Sequence, residues 1–130
     1  MMDFALSFEQ QALVDSLEEF CKRELYPHEA LVEELRHVPE EIRQEIHRKS
    51  VEAGFDNMYV PEEWGGAGLD KQTKMQVERV MGKPHSPLGM CMHRGVTGIL
   101  FKCRDEQVEE YLKPCIRGER KDAFALTEPG

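Results

Sequence analysis

The chain has 130 residues, 40% apolar and 32% charged, which fits one soluble globular domain able to bury roughly two thirds of its unfolded surface. Its 25 acidic and 17 basic side chains leave a net charge of −8 with no basic stripe, which argues against a nucleic-acid partner. Apolar runs of only a few residues exclude a membrane-spanning helix, and the opening Met1-Met2-Asp3-Phe4 resembles neither a secretory signal nor a transit peptide, so a cytoplasmic protein is expected.

Ser7-Phe8-Glu9-Gln10 is a capping-box pattern that opens the first predicted helix. Leu13, Val14, Leu17, Phe20, Cys21 and Leu25 follow on one stripe, and Pro27 ends that helix near Tyr26. A shorter helix is expected from Pro27, with Leu31, Val32 and Leu35 inward. Pro39 suits a first helical position, Glu40 and Glu41 suit the positive end of the helix dipole, and Gly54 is a natural left-handed terminator. Ile42, Ile46 and Ala53 recur at helical spacing between them.

Phe55 to Val60 reads as a short packed segment, and Pro61 to Leu69 as a glycine-rich turn that Trp64 plugs against the core. Asp70 caps a further helix to about Met81, with Thr73, Val77, Val80 and Met81 inward. Pro84 to Pro87 breaks the chain. Leu88 to Lys102 is apolar on most sides and reads as a central helix, despite Gly89, Gly95 and Gly98. Asp105 starts a last helix with Val108, Tyr111, Leu112 and Ile116 buried, closed by Gly118. Asp122 to Thr127 then reads as a strand, and a lone strand needs partners, so continuation into a sheet domain is expected. The fold class is all-α: a bundle of five to six helices ending at the first strand of a β-domain.

Three motifs occur in order along the chain. The first is Phe8-Glu9-Gln10-Gln11 with Phe20 through Pro27. The second is Ala53-Gly54-Phe55 followed by Val60-Pro61-Glu62-Glu63-Trp64-Gly65-Gly66-Ala67-Gly68-Leu69. The third is Tyr111-Leu112 with Gly118-Glu119 and then Phe124-Ala125-Leu126-Thr127-Glu128-Pro129-Gly130. Together they resemble the acyl-CoA dehydrogenase family, whose segments include PEEYGG-x-G and A-x-TEP-x-AGSD. The resemblance implies an N-terminal helical domain over residues 1–121 and the start of a middle β-domain over 122–130. A C-terminal four-helix bundle and a homotetramer belong to the same picture.

The resemblance further implies FAD as cofactor, α,β-dehydrogenation of an acyl-CoA thioester, and an electron-transferring flavoprotein as acceptor. It places Phe124, Leu126 and Thr127 against the flavin, where the Thr127 hydroxyl and the adjoining backbone bond the polar edge of the ring. The family's A-G-S-D continuation does not follow within the chain. Its catalytic glutamate lies in the C-terminal bundle, so no catalytic residue is assigned here and the isolated chain is expected to be inactive. Leu88, Met90, Met92 and His93 begin the segment that borders the acyl pocket in the family, and adaptable thioethers suit such a wall.

Other chemistry finds little support. Glu62 and Glu63 are adjacent and read as solvated. Cys21, Cys91, Cys103 and Cys115 form no CxxC pair and read as small buried hydrophobes. The histidines show no metal spacing, and Glu34-x-x-His37 is a single copy of a motif that needs two. Two other classes remain: a same-fold flavin oxidase or monooxygenase, and a non-catalytic helical interaction module.

Overall fold

The computed structural model describes residues 5–123 together with Ala125 and Thr127. Regular structure among the described residues is helical: α1 (Phe8–Phe20), α2 (Glu29–Leu35), α3 (Glu40–Glu52), α4 (Lys71–Met81), α5 (Ser86–Gly89) and α6 (Lys113–Ile116). The all-α expectation therefore holds. The chain forms two compact units, Met1–Arg94 and Gly95–Gly130.

The first unit begins with the capping box. Ser7 Oγ accepts the Gln10 N–H at 3.2 Å, and Gln10 Oε1 accepts the Ser7 N–H at 2.9 Å. The same amide reaches 60 residues along the chain. Gln10 Nε2 donates to Thr73 Oγ1 at 2.8 Å and to Asp70 Oδ2 at 3.3 Å, while Asp70 Oδ1 caps α4 by accepting the Thr73 N–H at 2.8 Å. One side chain thus ties two helix N-termini, and α1 packs against α4.

The predicted stripe of α1 is buried at Val14, Leu17, Phe20, Cys21 and Leu25, with Leu13 half-buried. After Phe20 the helix widens into a π-helical turn, Cys21–Leu25, and Pro27 lies in a 3₁₀ turn, Tyr26–His28, that leads into α2. On α2 only Val32 is buried, whereas Leu31 and Leu35 stay exposed, which corrects the expected inward face. The helix has seven residues, so it presents a single residue to the core before Arg36 turns left-handed at φ 60°. Pro39 caps α3 rather than opening it. Ile46 and Ser50 are buried on α3, Ala53 is exposed, and Gly54 ends the helix at φ +79° as expected. Phe20 and Phe55 meet edge to face at 5.3 Å between ring centres.

The 55–69 segment is closed by its own backbone. Gly68 donates to Val60 O, Ala67 to Asn57 O, and Leu69 to Met58 O. Val60 is fully buried, and a Cβ on Gly66 would lie 2.0 Å from Val60 O. Gly66 is therefore needed for close approach. Trp64 is half-buried and falls outside the main core cluster, so it does not plug the loop against the core; the loop backbone closes on the buried Val60 instead. On α4, Thr73, Val77, Val80 and Met81 are all buried, as their spacing predicts.

The expected central helix over Leu88 to Lys102 does not form. α5 stops at Gly89, residues 93–97 are irregular, and a 3₁₀ turn covers Gly98–Lys102. Buried backbone groups must find partners, and here the 57–59 segment takes its partners from this stretch. Asn57 N–H donates to His93 O and Tyr59 N–H to Arg94 O, both at 2.8 Å. Arg94 then folds back, donating to Gly89 O at 2.8 Å and to Glu78 Oε1 at 3.2 Å. Gly95 and Gly98 remove what helix propensity was left.

In the second unit a π-helical turn, Val108–Leu112, runs into α6, and Leu112 and Cys115 are buried. Val108 and Ile116 are half-buried, but Tyr111 is exposed, contrary to the expected inward face. The π-turn rotates the side chains ahead of α6 away from α-helical register. Gly118 closes the element at φ +71°. Of the expected strand, Asp122, Ala123, Ala125 and Thr127 carry no regular structure and none of the described residues offers them a partner strand, while Phe124 and Leu126 lie outside the described residues.

Three outcomes follow from this packing. Gln10→Ala should lower unfolding stability by about 1–2 kcal/mol in a urea titration, because both caps lose a bond. Gly66→Ala should cost about 3 kcal/mol in the same assay, since the added methyl meets backbone. The Asp70 carboxyl is held below its usual range, first by the Thr73 backbone N–H and then by side-chain hydrogen bonds from Thr73 and Gln10. A depressed carboxyl stabilises the fold above its unfolded pKa of about 3.9, and that contribution is lost as pH falls through the lower folded value. The melting temperature should therefore fall below about pH 4, and Asp70→Asn should flatten part of that fall.

Candidate functional site

The second unit carries the stretch predicted to meet a flavin. Thr127 is exposed, so its hydroxyl is open to a ligand, while Phe124 and Leu126 lie outside the described residues, as does Glu128. Five residues before Thr127, the Asp122 carboxylate accepts the Thr97 backbone N–H at 2.6 Å. Sequence reading assigned Asp122 to the strand and missed this bond. An acid just ahead of an apolar run was the only signal available.

The same unit has a shallow groove of about 280 Å³ lined by Ile99, Leu100, Lys102, Cys103, Gln107 and Tyr111. Ile99 is 69% exposed and Tyr111 44%, so the groove is bordered by open apolar surface. Lys102 and Gln107 add a cation and an amide at its edge.

The proposed pocket-lining residues of the first unit divide. Leu88 and Met92 are buried in its core, Met90 is 78% exposed, and His93 is half-buried. Near them Tyr59 donates its hydroxyl to Glu78 Oε1, to which Arg94 is also bonded, and Lys74 lies 5.6 Å from the Tyr59 ring centre. Burial, then the bond to Glu78, pushes the Tyr59 hydroxyl far above its ordinary range. A tyrosine so held is a neutral donor, and the group is a structural clamp rather than an acid–base pair.

Two of the thiols are equally quiet. All four cysteines are unbridged. Burial, then the Glu18 charge, pushes the Cys21 thiol up to about 11, and burial raises Cys115 as well. Both are protonated at neutral pH and are not nucleophiles. Glu62 and Glu63 are exposed, in keeping with solvated carboxylates. Among the described residues no group of three His, Cys, Asp or Glu side chains could hold a metal ion, and no helix is long and apolar enough to cross a membrane.

Comparison with known proteins fits this helical, chemically quiet arrangement. The family model for the acyl-CoA dehydrogenase N-terminal domain matches residues 7–119. The 3-(aryl)acrylate reductase of Clostridium sporogenes is 37% identical, with 94% of this chain and 33% of the relative covered. The caffeyl-CoA reductase-Etf complex subunit CarC of Acetobacterium woodii is 37% identical over 69% of this chain and 25% of its own length. The benzylmalonyl-CoA dehydrogenase of Aromatoleum aromaticum is 31% identical over 98% of this chain and 34% of its own length. The chain thus spans about a third or less of the length of these relatives. No solved structure matches it significantly. With the family model matching residues 7–119, the chain belongs to the acyl-CoA dehydrogenase family, as its N-terminal helical domain.

Proposed function

We propose that this chain is the helical N-terminal part of an FAD-dependent enzyme that removes the α and β hydrogens of an acyl-CoA thioester. The observation that carries this reading is the family match over residues 7–119, followed by the Thr-Glu-Pro segment with its exposed Thr127. FAD, when bound, supplies the two-electron redox chemistry. This chain's own residues bind and exclude water. Thr127 and the backbone beside it bond the polar edge of the ring, with Phe124 and Leu126 against it. The apolar groove of Ile99, Leu100 and Tyr111 contributes a dry wall. The protonated thiols and the clamped Tyr59 fit a part of the enzyme that shapes the site, with the base supplied by a glutamate outside this chain. An electron-transferring flavoprotein as redox partner, a homotetramer and a cytoplasmic location complete the reading.

A second direction is favoured by the names of two relatives, a 3-(aryl)acrylate reductase and a caffeyl-CoA reductase subunit. The same wall would then serve addition of hydrogen across an aryl-conjugated double bond. The second of these names, an Etf complex subunit, supports the flavoprotein partner in either direction.

The test uses the protein that carries this chain. Purified, it should show the visible bands of oxidised flavin, and anaerobic addition of a saturated acyl-CoA should bleach them. If only the reduced flavin reacts, and an aryl-acryloyl thioester restores the bands, the reductase direction is correct. A colourless protein that takes up no added FAD sinks both.

A further inference from the structure

Helical bonds hold the backbone of the second unit up to Arg120. Gly118 N–H donates to Cys115 O at 3.0 Å, and the amides of Glu119 and Arg120 donate to Pro114 O at 2.9 and 3.2 Å. The Arg120 guanidinium adds a bond to Glu110 O at 3.1 Å. Beyond that point residues 121–123, Ala125 and Thr127 carry no regular structure. Asp122 continues the anchoring there. Its carboxylate accepts the Thr97 N–H at 2.6 Å, the short length of a charge-assisted bond.

The acceptor is well placed because its donor is fixed. Thr97 precedes the Gly98–Lys102 turn, and its carbonyl accepts the Leu100 N–H at 3.0 Å. The Asp122 charge also adds to the burial that raises the Cys115 thiol, while Arg120 opposes that rise.

We propose that Asp122 is a positioning residue: by holding the Thr97 N–H it anchors the chain five residues ahead of Thr127, and so raises flavin affinity in the protein that carries this chain. The inference rests on the reading in which Thr127 meets the flavin. Its physical basis is preorganisation. A segment already tethered loses less freedom when a ligand orders it, and binding is tighter by that difference. The bond is made by the main-chain N–H of residue 97, so the side chain at 97 is immaterial to it.

That last feature gives a clean test in the full-length protein. Asp122→Ala removes the acceptor, and Thr97→Pro removes the donor. Proline suits residue 97, whose φ is −58°. Each should speed flavin release and weaken FAD binding roughly tenfold, as expected for one charged hydrogen bond. The double variant should lose less than the sum of the two single losses, because the variants share one bond. Asp122→Asn and Thr97→Val keep acceptor and donor and should stay close to wild type. Small shifts of the flavin absorption bands should accompany the two weakened variants.

Unchanged flavin affinity in Asp122→Ala, with flavin present in the wild type, overturns the positioning role alone. Additive losses in the double variant overturn it too. A wild-type protein that takes up no flavin overturns the functional reading and this inference together.

Discussion

The Gln10 side-chain amide is the point on which the first compact unit turns. Every helix start leaves backbone N–H groups without intrahelical partners. Ser7 and Asp70 each answer that need locally, at the starts of α1 and α4. Gln10 makes the two local solutions depend on each other. Its carbonyl closes the α1 cap, while its nitrogen bonds the α4 cap at Asp70 and Thr73. Two helices joined at their first turns start in register, and their inward stripes, Val14 and Leu17 on one and Val77 and Val80 on the other, enter a single core cluster.

That core in turn dictates what happens to the glycine-rich loop and to the stretch after α5. The loop folds back on Val60, and only a residue without a Cβ fits at position 66. Its far edge, Asn57 and Tyr59, needs acceptors that the loop does not supply. His93 and Arg94 supply them through their carbonyls. A helix through residues 93 and 94 would turn those carbonyls along its own axis and leave the amides of half-buried Asn57 and Tyr59 without these partners, a cost above the small gain of a glycine-containing helix. The Tyr59–Glu78–Arg94 clamp holds the extended arrangement from the side-chain direction.

This is why some of the fold was legible in the sequence and some was not. α1, α3 and α4 were readable because their signals are local: a capping box, Pro-Glu-Glu, an Asp cap, and apolar residues at helical spacing. The ends at Gly54 and Gly118 were readable because a left-handed turn favours glycine. Leu88 to Lys102 misled because a short apolar run looks the same as a buried helix or as irregular packed backbone. The decision came from amides more than thirty residues earlier. Leu31 and Leu35 misled because periodicity marks a face without saying how much of a seven-residue helix reaches the core. At the candidate site, the motif around Thr127 was plain, but the Asp122 bond to Thr97 links positions 25 apart through a backbone group and leaves no trace in residue types.

The distribution of charge and burial also explains the kind of work this domain can do. Three groups that could act as nucleophile or acid within the described residues are held away from reactivity. Burial raises the Cys21 and Cys115 thiols, and Tyr59 is locked as a donor to Glu78. Catalytic groups are usually poised near the working pH, and these are driven away from it. Under the proposed function an unreactive helical wall is an advantage, because a thiolate or a stray base beside a reduced flavin and an activated thioester would open side reactions. Fixed shape, an exposed hydroxyl and a tethered backbone are what such a wall must provide, and these are the features that the described residues of the second unit combine.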